Sequence, residues 1–309
     1  MATIVQARDF GGPEVLDLVE AEVPAPGPDE VRISVRAAGV NPADVKLREG
    51  LFGRPPLPLR LGSEVAGVVA DVGPGVTGLA AGDEVLAYRV SGGYATELIA
   101  KAANVFRKPD SVSFEEAAGL LLVGVTAAHA LEASGVGKGD TLLVHGAAGG
   151  VGQALVQLAR LRGARVIGTG SDRSADLLRE LGAEPTTYGE GLVGRVRALA
   201  PDGVTAAVDL AGTEEALAVS LELVGDPDRV VTAVPREQAV EAGIRGIGSG
   251  PGADPGAAFR SAARADLVRL AGEGALEVRV SRTFPLTEVA DAHRFVAEGH
   301  AAGKVVLLP

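Results

Sequence analysis

Leu142-Leu143-Val144-His145-Gly146-Ala147-Ala148-Gly149-Gly150-Val151-Gly152 runs from an apolar strand straight into a glycine-rich turn and then into a helix. Backbone N–H groups and the positive end of a helix converge at such a turn, and glycines leave room for a diphosphate to approach them. The spacing G-x-x-G-x-x-G is a variant of the dinucleotide fingerprint, weak as a bare glycine triplet and strong in a strand–turn–helix setting. The competing reading has Gly146, Gly149, Gly150 and Gly152 serving only close strand–helix packing. For His145, at the strand end, satisfaction by backbone is a better account than service as a catalytic base.

Outward from this turn, strands at 141–145, 164–167, 204–210 and 229–234 alternate with helices at 152–161, 175–181 and 214–223. That alternation implies an α/β unit, a doubly wound parallel sheet with right-handed crossovers. The second strand bears on the choice of nucleotide, because an NAD site wants a carboxylate at its tip, about 20 residues past the glycines. Here Val166-Ile167 is followed by Gly168-Thr169-Gly170-Ser171, with no acid. Ser171 is able to donate to a 2′-phosphate and Arg173 to pair with it, which favours NADPH over NADH. Asp172 is the contrary residue, read as a helix N-cap before Ala175.

Before the turn the pattern is different. Residues 31–35 and 65–69 read as short strands, with turns at 73–75 and 81–83, an all-β pattern suited to a small barrel or partly opened sheet. Ser113 followed by Glu115-Glu116 reads as a capped helix start. The Gly- and Pro-rich stretch 243–255 ends the doubly wound unit. The domains expected are therefore residues 1–113, 114–250 and 251–309. The last of these, with helices at 257–270 and 289–297 and strands at 276–280 and 304–308, is too small to stand alone and should pack onto the first.

Composition narrows the chemistry. The 309 residues are 47% hydrophobic, ample for two cores, and 40 acidic against 29 basic residues give a net charge of −11, which argues against nucleic acid as partner. The absence of cysteine removes disulfides, thiolate nucleophiles and every cysteine-dependent zinc site. The four histidines, His129, His145, His293 and His300, form no metal-binding pair. The start, MATIVQARDF, shows no secretory pattern, and the apolar run 117–128 is short of the roughly 20 residues that span a bilayer, so a cytoplasmic protein without a membrane segment is expected.

A resemblance now becomes specific. Gly39-Val40-Asn41-Pro42-Ala43-Asp44, Arg48, Gly62-Ser63-Glu64-Val65-Ala66-Gly67, Gly82-Asp83-Glu84-Val85, Gly93-Tyr94-Ala95, the glycine turn, Val208-Asp209-Leu210-Ala211-Gly212 and Gly303-Lys304-Val305-Val306 follow one another as in the medium-chain dehydrogenase/reductase family. That resemblance implies a Rossmann sheet plus a GroES-like, β-rich catalytic domain built from the N- and C-terminal segments. Its alcohol dehydrogenase branch holds zinc through a Cys and a His where this chain has Asn41 and Ser63. No room exists for the four-cysteine lobe after Val85, so the match narrows to the zinc-free quinone oxidoreductase-like branch. The resemblance implies Thr126 as nicotinamide contact, Gly150 and Val151 as diphosphate contacts, and Ser171, Arg173 and Tyr188 as the 2′-phosphate cluster. Val234 is counted with these cofactor contacts. Asn41 and Asp44 resemble residues lining the site near the nicotinamide ring, and with Thr126 they form the expected catalytic set.

Plainer roles stand beside these. Asn41 before Pro42 also suits a turn, Arg48 and Glu64 suit a structural ion pair, Tyr94 suits the core and Lys46 suits solvent. Without a metal, nothing would stabilise an alkoxide, whereas a quinone or enone carries the incoming charge to an oxygen that hydrogen-bond donors stabilise. The expected reaction is hydride transfer from NADPH to such an acceptor. Alternatives are an enoyl or enone reductase and a non-catalytic NADPH-binding sensor or structural protein. The strand near 243–249, left as a sheet edge, suggests a homodimer.

Overall fold

Alternation of buried and half-buried residues drives the first part of the chain into strands. In the computed structural model, which describes all residues but 235, 236, 249–251 and 300, β1 (Ala2–Ala7) and β2 (Leu16–Ala21) pair antiparallel. The alternation read at 31–35 is the middle of an eleven-residue strand, β3 (Glu30–Val40), with Val31, Ile33 and Val35 inward. Pro42 then starts α1 (Pro42–Arg48), its fixed φ suiting the first helical position. There follow β4 (Leu59–Arg60), β5 (Glu64–Val72), β6 (Glu84–Tyr88), β7 (Glu97–Lys101), β8 (Val105–Arg107) and α2 (Phe114–Ala118). The expected cap on α2 is present: Glu116 N–H donates to Ser113 Oγ at 3.2 Å, and Ser113 N–H to Glu116 Oε2 at 2.8 Å.

After α3 (Leu121–Ala133) come β9 (Thr141–His145), α4 (Gly150–Leu161), β10 (Arg165–Gly170), α5 (Ala175–Leu181), β11 (Glu184–Thr187), α6 (Leu192–Leu199), β12 (Ala206–Asp209), α7 (Glu214–Leu223), β13 (Val230–Thr232), α8 (Glu237–Glu241), β14 (Arg245–Gly246) and α9 (Ala257–Gly272). Six strands form one parallel sheet in the order β11-β10-β9-β12-β13-β14, the doubly wound order with the glycine turn's strand at its centre. The last segment adds β15 (Val280–Pro285), α10 (Val289–Ala297) and β16 (Lys304–Leu308). β16 pairs antiparallel with β3, so the seven-stranded sheet of the first unit is closed by the end of the chain.

The chain divides into two compact units, Met1–Leu122 with Ala265–Pro309, and Val123–Arg264. The first division falls later than residue 113 because α2 packs on β3 and β5. The second falls later than 250 because Asp254 is tied into the second unit, its N–H donating to Gly246 O at 2.8 Å and its carbonyl accepting from Gly248 N–H at 2.9 Å. That tie also corrects the edge strand expected at 243–249, which is two residues long and partly bonded to its own chain. Ser249, Gly250 and His300 lie outside the described residues. The strand expected at 276–280 is displaced to β15, where Phe284 is buried opposite Leu307. β10 runs three residues past its expected end, because pairing with β11 continues to Gly170.

Candidate functional site

The second unit gathers its candidate residues at the carboxyl ends of parallel strands, where open α/β sheets bind ligands. His145 ends β9, and Gly146 turns the chain with φ +73°, its N–H donating to Thr169 Oγ1 at 3.3 Å. Gly149 is the N-cap of α4, and among the described residues no acceptor meets the N–H groups of Gly150, Val151 and Gly152. A Cβ on Gly152 would lie 2.5 Å from the carbonyl oxygens of Gly146 and Ala147, so this turn closes only over glycine. Such a cradle of unpartnered N–H groups at a helix start could hold a diphosphate, and a dinucleotide fits it.

Ser171 and Tyr188 follow directly on the paired ends of β10 and β11, where Gly170 faces Thr187. Both are exposed, as is Arg173 one turn on. Arg195 holds the loop carrying Tyr188 by donating to the carbonyls of Thr187 and Gly189 at 2.9 and 3.0 Å. Asp172 caps no helix; it begins a short 3-10 turn, and Ser174 Oγ donates to Ser171 O at 2.7 Å instead. Val234 lies just past β13, its N–H donating to Thr232 Oγ1 at 3.1 Å. Thr126 lies within α3. The backbone does not satisfy His145 as expected: its Nε2 is buried without a partner among the described residues, and burial pushes the ring's pKa down against the pull of Asp209 and Glu215.

The first unit places Asn41 and Asp44 in a buried polar network. The carboxylate of Asp44 accepts from Asn41 N–H and from Tyr94 Oη, both at 2.9 Å. Burial is the main cause that raises the Asp44 carboxyl to about 6, opposed by those bonds and by the charge of Lys304. Asn41 Nδ2 donates to Glu64 Oε1 at 3.0 Å, and Lys304 Nζ donates to Asn41 Oδ1 at 2.5 Å and to Glu64 Oε1 at 2.8 Å. The second oxygen of Glu64 accepts from Leu122 N–H at 3.0 Å. Tyr94 is fully buried, as a core residue should be, yet its hydroxyl belongs to the network. Lys46 is half-buried, with Nζ 5.5 Å over the Phe52 ring.

The expected Arg48–Glu64 pair does not form. The pairing of Val305 with Val40 brings Lys304 beside Asn41, and Lys304 takes Glu64. Arg48 turns the other way, to Glu49 at 2.6 Å, Gly11 O at 2.9 Å and His293 Nδ1 at 3.1 Å. In sequence Lys304 stands only within the Gly303-Lys304-Val305-Val306 motif, and a lysine opening an otherwise apolar strand is the signal that it points inward. Among the described residues no group of three metal-ligating side chains is arranged to hold an ion. Of the two motif positions where zinc would be held, Asn41 has its Oδ1 lone pairs taken by the Lys304 ammonium and Ser63 offers only a neutral hydroxyl, so these residues do not fit a zinc ion.

Residues 27–110 match the family model of the alcohol dehydrogenase GroES-like domain, and residues 181–307 that of zinc-binding dehydrogenase. The chain is 35% identical to the synaptic vesicle membrane protein VAT-1 homolog of Rattus norvegicus, over 97% of this chain and 82% of that one. It is 34% identical to a quinone oxidoreductase of Pseudomonas aeruginosa, over 100% of both. The structure of Escherichia coli quinone oxidoreductase complexed with NADPH matches with a TM-score of 0.87 at 28% identity, over 99% of this chain and 100% of that one. The CurK enoyl reductase matches with a TM-score of 0.88 at 26% identity, over 99% of each chain. Among the described residues no helix is long and apolar enough to cross a membrane.

Proposed function

We propose that this chain, which belongs to the medium-chain dehydrogenase/reductase family and to its quinone oxidoreductase-like branch, is an NADPH-dependent, metal-independent reductase of a quinone or similar conjugated carbonyl compound. The observation that carries the reading is the glycine cradle beside a strand tip without an acid. The N–H groups of Gly150, Val151 and Gly152 hold the diphosphate, Ser171 and Tyr188 bond the 2′-phosphate, and Arg173 pairs with it. Thr126 holds the carboxamide and Val234 packs on the cofactor. NADPH, when bound, supplies the hydride. Asn41 orients the acceptor through its amide, and Asp44 fixes Asn41 by taking its backbone N–H. The proton that completes reduction comes from water or from a side chain of the site.

The likeness to an enoyl reductase supports a second reading, reduction of an activated carbon–carbon double bond. NADPH and NADH consumption, measured in parallel with a benzoquinone and with an α,β-unsaturated ketone or thioester, separates the two. NADPH binding with nothing reduced across such a panel would leave a sensor. Asn41→Ala should lower kcat about tenfold and leave NADPH affinity near normal; full activity on the best acceptor would remove Asn41 from its role. We place the protein, with its diffusible cofactor, in the cytoplasm. We also propose a homodimer, although Asp254 covers part of the β14 edge. Light scattering on a sizing column should give twice the chain mass, and a monomer at micromolar concentration would contradict it.

A further inference from the structure

The geometry points to Lys304 and Glu64 as positioning residues that lock the Asn41 side chain so that it offers the acceptor a hydrogen, not a lone pair. This rests on the role given to Asn41 above. A carboxamide is nearly the same shape either way round, so packing alone does not choose its orientation. Chemistry does. An ammonium has donors and no acceptor, so Lys304 Nζ, 2.5 Å from the side chain, faces Oδ1. An ionised carboxylate only accepts, so Glu64 Oε1, at 3.0 Å, faces Nδ2. Turning the amide over would set NH2 against the ammonium and the carbonyl against the carboxylate.

The lock is held from several sides. Lys304 donates to Glu64 as well, at 2.8 Å, so its charge is compensated where it is buried. Glu64 is anchored by Leu122 N–H, and the Asn41 main chain by Asp44. Asn41, Glu64 and Lys304 are 2%, 1% and 4% exposed, so water competes little for these bonds. One hydrogen on Asn41 Nδ2 is left, without a partner among the described residues. The ammonium on Oδ1 polarises the amide and makes that hydrogen a better donor. A donor is what a conjugated carbonyl needs, because hydride addition develops negative charge on its oxygen. The acceptor class this favours has a carbonyl oxygen conjugated to the carbon that is reduced.

Two experiments test it. The chain contains two asparagines, Asn41 and Asn104, so selective 15N-asparagine labelling gives two side-chain amides, and Asn104→Ser assigns them. Asn104 is a half-exposed reference, with Nδ2 3.5 Å from Arg89 O. The Asn41 amide hydrogen bonded to Glu64 should exchange with water at least about a hundredfold more slowly than those of Asn104. Equal rates would overturn the lock without any assay of turnover. For function, Lys304→Met combined with Glu64→Gln removes both charges at similar volume, because Lys304→Met alone strands a buried carboxylate.

The pair should lower kcat about tenfold, keep NADPH affinity within about twofold by calorimetry, and lower nothing further once Asn41 is Ala. Equal losses with and without Asn41, or an unchanged kcat, would overturn the positioning role. If instead Asn41→Ala alone keeps full turnover, the reading of Asn41 has failed first, and the positioning role falls with it.

Discussion

Gly152→Ala should weaken NADPH binding at least about a hundredfold by calorimetry, a loss of about 2.7 kcal/mol. The added Cβ meets Gly146 O and Ala147 O at 2.5 Å and Ala147 C at 2.6 Å, all of them backbone. No rotamer relieves such an overlap, so the start of α4 has to move away from the turn after β9. Those are the two parts that form the cradle. N–H groups that converged on one diphosphate then diverge, and each lost charge-assisted bond takes affinity with it. A thermal melt that stays cooperative separates a spoiled cradle from a lost fold. Binding within threefold of the unaltered chain would show that the diphosphate lies elsewhere.

The legibility of this half of the molecule has a physical cause. The cradle is contiguous in sequence, since strand, turn and helix occupy neighbouring residues and glycine spacing states the backbone geometry directly. The strand at 141–145 and the helices at 175–181, 214–223 and 289–297 were read to the residue for a similar reason, as each has clear local periodicity or caps. β11 escaped notice because Glu184-Pro185-Thr186-Thr187 carries a proline, which a sheet tolerates at its edge, where β11 lies.

The polar network of the first unit was legible in its parts and not in its pairings. Asn41, Glu64, Tyr94 and Lys304 all stood in recognised motifs, yet Lys304 is 263 residues from Asn41. The partner of a buried charge is set by strand register, and nothing local announces that β16 lies against β3. The rule that buried charges are paired gives Glu64 to Arg48 in the sequence, whereas the antiparallel match of Val305 with Val40 gives it Lys304 and leaves Arg48 facing His293. The identity of each counter-charge was a property of the sheet.

The Arg48–His293 contact carries the second large effect, and the sign depends on pH. A guanidinium has no acceptor, so the bond from Arg48 Nη1 needs an unprotonated Nδ1 on His293, and the ring is fully buried against the edge of Tyr94. Burial, then the Arg48 charge, pushes His293 down to about 3. Its unfolded value is near 6.5, so its share of stability is full above that pH and is lost as pH falls toward 3, about 3 kcal/mol by pH 4. Asp44 acts in the opposite sense. Raised to about 6, it takes its proton first in the folded chain, so the cost of burying its charge is relieved on acidification, by about 2 kcal/mol at pH 4. His293→Gln keeps an acceptor for Arg48 and removes the titration. Urea unfolding at pH 7 and pH 4 should therefore find the stability difference between the unaltered chain and the variant shifting by about 3 kcal/mol in the variant's favour on acidification, since every other titrating group is common to both. A gap of equal size at both pH values would mean that the ring is not held neutral against Arg48.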